Sequence, residues 1–497
     1  MNFLRKLSPS KHWNIVVILA ISFALRCALI FQGGQYYFPD EIKYDYSKYI
    51  AAYILQRNFL KAFADLTVTP GQIVYRAIAV IPALAENYFH LTSIVPAIFF
   101  SFFSVMSLFL IWKISKRIGI SERGSYFVLL FAASSHSLMY YTRHLLPYDL
   151  SLFFGLLALF IGLNPNPSDK TYLASGSLVF LCFASYSGYW SLTGFATIFP
   201  VIIKNSRKIS FFRKSFFTLI GIITPFLVLA IIESIGANLN IFTEYSDFAG
   251  TINQGNFFEG WSLPFEYLWH SEHVFLIILI ALSLYAALNF ARENQMAFIL
   301  GTGGIVFIYL CLFILSTVLH KFVVYGRLSR QLIPFLVLSS AYGLSLIVNE
   351  GRIGKAIAMI LLAIVVVQGL LNYRVSFNIT FPREFIKEAQ EEYPLFKMSI
   401  KRTNTGAPFI CKFRDYIAMN IKYIHPLPES LPEIEKNVLL SASHPINFFP
   451  YQYEGYSPGE RKIFRSENIK MKLIRVEDDS QAFAIFGKLK SCVATVP

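Results

Sequence analysis

WNIVVILAISFALRCALIF, residues 13–31, is the stretch that decides the fold class. Its 19 residues rise about 28 Å as a helix, close to the roughly 30 Å hydrocarbon core of a bilayer. Arg5, Lys6 and Lys11 precede it and no small-residue cleavage pattern follows, so it reads as a retained anchor with its amino end in the cytoplasm. Comparable apolar runs follow at about 91–112, 125–141, 148–163, 171–188, 191–203, 215–235, 273–291, 296–319, 331–348 and 355–371, giving about 11 transmembrane helices. A chain of 497 residues that is 55% hydrophobic and 15% charged is too apolar to fold in water. The expected fold is an all-α polytopic membrane protein.

Counted forward from a cytoplasmic start, the basic connections Lys113 to Arg123 and Lys204 to Lys214 come out cytoplasmic. The connection at about 236–272, with five acids and no Lys or Arg, comes out external, as the positive-inside rule requires. Two external segments break the rule: the long first loop, and the loop near 320–330 with Lys321, Arg327 and Arg330. Positive charge held outside against the insertion bias fits a bound anion, as does the formal net charge of +14. Pairing with lipid headgroups or external acids is the other reading.

Just past the first span stands Phe38-Pro39-Asp40-Glu41-Ile42-Lys43-Tyr44. Two carboxylates follow a proline and precede apolar residues at helical spacing, Ile42, Tyr46, Tyr49, Ile50 and Tyr53. Asp40 at such a helix start is held charged by the unpaired N–H groups and can accept a proton from a hydroxyl; it can also be simply the N-cap. The helix is expected to lie in the interface to about residue 62, followed by a piece at about 71–87 broken by Pro70, Gly71 and Pro82. A second external turn runs from Tyr140 through Arg143 to Asp149, at the mouth of the next span. A carboxylate there needs a partner, and Arg143 is the nearest. A late segment packs Lys321, Tyr325, Arg327 and Arg330 ahead of Pro334, and guanidinium groups suit phosphate oxygens.

From about residue 372 charges and prolines become frequent. The expected division is a transmembrane domain, 1–375, and a small mixed α/β extracytoplasmic domain, 376–497, with short strands near 437–441 and 481–486. Cys411 and Cys492 lie outside the spans and could pair in an oxidising compartment. Phosphate-loop, dinucleotide and zinc-ligand motifs are absent from the sequence. Its basic residues are not gathered as nucleic-acid binding demands.

The order and common sidedness of the three motifs resemble the GT-C membrane glycosyltransferases, in the branch similar to bacterial protein O-mannosyltransferases and aminoarabinose transferases of lipid A. The resemblance covers about residues 1–370. Gly326 and Ser329 interrupt its late motif. It implies transfer of a sugar from a polyprenyl-phosphate donor to a lipid, glycan or protein acceptor on the outer, periplasmic or extracellular, face of the cytoplasmic membrane, with inversion at the anomeric carbon. Asp40 is then the general base, Glu41 orients it or the acceptor, and Asp149 places the sugar or supports the first-loop helix. Arg143, Lys321, Arg327 and Arg330 are candidates for the donor phosphate, and Tyr44 and Tyr325 for the sugar pocket. No cofactor is expected, although an Asp40–Glu41 pair could hold a divalent ion for a diphosphate donor. The alternatives are a flippase for a lipid-linked sugar, which would bind near the midplane of inverted repeats, and an arginine-based glycan ligase.

Overall fold

A computed structural model of the chain describes residues 13–31, 35, 41–67, 72–89, 94–203, 209–236, 261–289, 295–319, 326–377, 445–447 and 468–470. Asp40, Lys321, Tyr325, Cys411, Cys492 and the strands expected near 437–441 and 481–486 lie outside these residues.

The helices in order are α1 (Trp13–Phe31), α2 (Ile42–Leu55), α3 (Phe59–Thr67), α4 (Ile73–Phe89), α5 (Ile94–Arg117), α6 (Glu122–Ser134), α7 (Tyr148–Gly162), α8 (Asp169–Ser185), α9 (Trp190–Ile202), α10 (Phe211–Gly236), α11 (Leu263–Glu272), α12 (Val274–Leu288), α13 (Gln295–Phe313), α14 (Ile333–Asn349) and α15 (Arg352–Phe377). Each of the eleven apolar runs therefore folds as helix over most of its length. Six stretches among the described residues are long and apolar enough to cross a bilayer: Trp13–Phe31, Ile94–Arg117, Phe211–Ile232, Met296–Val318, Arg327–Asn349 and Arg352–Arg374. The others fall short. The 13 residues of α6 and of α9 rise only about 20 Å.

Burial sorts the spans. In the most apolar 18 residues of Arg327–Asn349, 94% of the residues are buried, whereas in those of Phe211–Ile232 and Arg352–Arg374 17% are. Thus α14 is the axis of the bundle, and α10 and α15 turn most of their apolar surface outward, as lipid-facing helices do. Small residues let the helices approach. A Cβ on Gly343 of α14 would stand 2.1 Å from the Leu282 carbonyl oxygen of α12, and one on Gly176 of α8 would stand 2.2 Å from Thr218 O of α10.

The first loop departs from expectation in two places. One helix was expected from Asp40 to about 62; instead α2 ends at Leu55 and α3 begins at Phe59. Arg57 is left-handed there, with φ 60°, and Asn58 N–H closes on Tyr53 O at 2.8 Å, a C-terminal cap that stops the helix. Conversely α4 runs unbroken through Pro82, because its packing against α2 outweighs the cost of the lost bond. Glu86 of α4 accepts from the Tyr44 hydroxyl at 2.9 Å and from Lys48 at 3.0 Å. Tyr44 is fully buried, edge-on to Phe100, and it ties α2 to α4.

Beyond α15, which runs two residues past the expected boundary at 375, Pro445–Asn447 pairs antiparallel with Asn468–Lys470, Pro445 opposite Lys470.

Candidate active site

The loop 135–147, between α6 and α7, gathers the motifs. The sequence extends the apolar run to 141, yet the helix ends at Ser134, because a carboxylate takes the N–H groups that another turn would have used. Glu272, buried at the end of α11, accepts from His136 N–H at 3.0 Å, Ser137 N–H at 2.8 Å and the Ser135 hydroxyl at 2.7 Å. Burial pushes this carboxyl toward its protonated form, and those hydrogen bonds pull it back. His136 lies 3.2 Å from Ser271 O through Nδ1 and meets the Ser376 hydroxyl through Nε2.

The first-loop motif is stitched to the far side of the same loop. Glu41 is fully buried; its Oε2 accepts Leu145 N–H at 3.0 Å and its Oε1 lies 3.3 Å from His144 Nδ1. Gln35 donates to Arg143 O at 3.1 Å, and the Tyr75 hydroxyl of α4 donates to Leu145 O at 2.7 Å. Glu41 thus holds the second loop against the first.

Asp149, in the first turn of α7 and 3% exposed, forms an ion pair with Nη2 of Arg330, which is fully buried. This corrects the sequence expectation that Arg143 is its partner. The 3-10 turn Tyr140–Arg143 and the extended His144 carry Arg143 elsewhere, and its Nη1 donates at 2.9 Å to Ser376 O at the end of α15.

Arg327 and Arg330 lie in the turn before α14. Nη1 of Arg327 donates to the Tyr148 hydroxyl at 2.9 Å, and the Arg330 guanidinium stands 5.5 Å from the Tyr141 ring centre. Next to Arg330, Gln331 Oε1 accepts the Ser191 hydroxyl and Leu192 N–H at the start of α9, at 2.9 and 3.0 Å. Tyr186 packs on Tyr148 at 4.7 Å and on Tyr189 at 5.3 Å between ring centres. The Lys43 ammonium of the first motif reaches to 5.9 Å from the Tyr186 ring. Glu41, Lys43, Asp149, Arg327 and Arg330 are therefore brought to one end of the bundle, among tyrosines from four segments.

Sequence reasoning missed Arg26, a charge inside the first apolar run. It is fully buried and donates to Ser104 Oγ at 3.1 Å, Ser22 O at 3.0 Å and Leu138 O at 3.2 Å. Arg330 Nη2 reaches the same Leu138 oxygen at 3.5 Å. An intramembrane charge is itself a signal of function, diluted here by its apolar neighbours. The assembly can neutralise an anion with arginine and lysine while tyrosine rings offer faces and hydroxyls to a sugar.

No family model matches the chain, and no curated protein matches it. Among solved structures, the crystal structure of the Archaeoglobus fulgidus oligosaccharyltransferase in complex with zinc and sulfate is 11% identical at a TM-score of 0.44, covering 78% of this chain and 56% of that one. The chain spans just over half the length of that enzyme.

Proposed function

We propose that the protein is a GT-C-type membrane glycosyltransferase that moves a sugar from a polyprenyl-phosphate carrier to an acceptor hydroxyl on the external face, with inversion. The observation that carries this reading is the buried Asp149–Arg330 pair beside Arg327 and Tyr148, with the acidic first-loop motif tied to the same loop through Glu41. Three motifs from distant parts of the sequence converge at one end of an apolar bundle, where a lipid-borne donor can be met from the bilayer.

In this mechanism the acceptor oxygen attacks the anomeric carbon from the face opposite the phosphate. Asp40 takes the hydroxyl proton as the new glycosidic bond forms, and the sugar–phosphate bond breaks with its electron pair going to the phosphate. Arg330, Arg327 and Lys321 meet the charge that develops there, and the positioned in-line geometry supplies much of the rate. Asp149 aims Arg330. Glu41 fixes the loop next to Asp40, and Arg143, already serving Ser376, holds the second loop to the end of α15. Tyr325 lines the sugar pocket, while Tyr44 holds the first loop together.

The test is the lipid extract of a deletion strain. It is expected to accumulate a polyprenyl-phosphate-linked sugar and to lack that sugar on one envelope lipid, glycan or protein, measured by mass spectrometry. Unchanged carrier lipids and envelope glycans would refute the proposal.

A further inference from the structure

Two arginines are buried around one aspartate. Arg26 spends its guanidinium on Ser104 Oγ, Ser22 O and Leu138 O, all neutral acceptors, while Arg330 engages Asp149 through Nη2 alone. Both guanidinium groups reach Leu138 O, so the three side chains form one charge group with a positive charge in excess, and among the described residues no second carboxylate pairs with either arginine. On the same turn, Arg330 Nε and Nη1 and the Ser329 hydroxyl are buried without hydrogen-bond partners. Buried donors without acceptors and buried charge without a counter-ion are both unfavourable. One anion with several acceptor oxygens relieves both.

We infer that Arg26 is a positioning residue, supplying the excess charge, and Ser329 a further binding residue, for the anionic oxygen group of the phosphate class that the proposed function assigns to Arg330. The unpartnered atoms have no solvent contact, so the turn opens to admit the anion, and binding is coupled to opening. The inference deepens the glycosyl-transfer reading and rests on it for the phosphate role of Arg330 and for the carrier of the phosphate, a polyprenyl lipid.

The test titrates the full-length protein in phosphatidylcholine nanodiscs with polyprenyl monophosphate, phosphatidylglycerol and inorganic phosphate in separate arms, following the melting temperature. Ligand that binds only the folded state raises it saturably. For polyprenyl monophosphate, Arg26→Gln and Arg330→Gln are expected to move the titration midpoint about tenfold or more, and Ser329→Ala about threefold, with Arg26→Lys restoring most of the affinity. Arg213→Gln, at an exposed pair with Asp169, leaves the midpoint in place. A merely structural role for Arg26 gives the reverse pattern: a lower melting temperature without ligand and an unmoved midpoint. Unmoved midpoints in Arg26→Gln and Ser329→Ala overturn the inference, and Ser329→Ala with Arg26→Lys decides it where Arg26→Gln does not fold. Saturable binding of phosphatidylglycerol or inorganic phosphate through these residues, with none of polyprenyl phosphate, keeps the anion site and removes the glycosyltransferase.

Discussion

Asp149 pairs with Arg330, and Arg26 meets the same Leu138 oxygen as Arg330, so the arithmetic of that group makes removal of the aspartate unequal to removal of an arginine. Replacing Asp149 with Asn leaves two buried cations facing each other, whereas replacing Arg330 with Gln leaves Asp149 with Arg26. Breaking a buried pair costs about 3–5 kcal/mol, and Asp149→Asn is expected at the upper end, Arg330→Gln well below it, by thermal or denaturant unfolding in detergent. Equal losses would show that Arg26 does not share the charge. Part of this was legible beforehand: a carboxylate at the mouth of a span must be paired. Its partner was not, because Arg330 is 181 residues away in sequence and Arg143 only six. Arg26 escaped notice because hydropathy is an average, and eighteen neighbours outvoted one guanidinium.

Elements were easier to read than their ends. Each of the eleven apolar runs coincides with a helix among the described residues, six of them in stretches long and apolar enough to cross a bilayer, since burial or lipid contact requires the same composition. Their termini depend on tertiary partners such as Glu272, which no local pattern contains. Glu272→Ala leaves the N–H groups of His136 and Ser137 unsatisfied, each at about 1–3 kcal/mol, and releases the loop that carries Arg143. The expected outcome is a lower unfolding midpoint together with lost complementation of a deletion strain. Packing of the central helix gives a second contrast. Gly343→Ala drives a methyl group into the Leu282 carbonyl and is expected to cost at least the ~1–3 kcal/mol of overpacking. Gly303→Ala, whose methyl group would lie 3.9 Å from Ile299 Cγ2, is expected to stay within about 1 kcal/mol of the parent. Unfolding of both variants in one detergent compares them. In the first loop, Pro82 misled because the packing of α4 against α2 carries the helix through it, and the end of α2 was missed because its left-handed position, Arg57, is not a glycine.

For the whole molecule, loop charge predicts sidedness. With the five native cysteines replaced by serine, Trp261→Cys, at an exposed position, should react with an impermeant thiol reagent in intact spheroplasts. Arg213→Cys should react only in inverted vesicles. The reverse pattern would put the Asp149–Arg330 end of the bundle in the cytoplasm. The shared end of the three motifs was foreshadowed by their order along the chain, which alternates spans and loops, while the distances within that end come only from packing.

Glycosyl transfer driven by a first-loop carboxylate is tested most directly by complementing a deletion strain with Asp40→Asn and weighing both the carrier lipids and the envelope glycans. Protein present at wild-type levels, sugar retained on the polyprenyl carrier and none on the acceptor is the predicted result. Full restoration of the acceptor glycan by Asp40→Asn would contradict it.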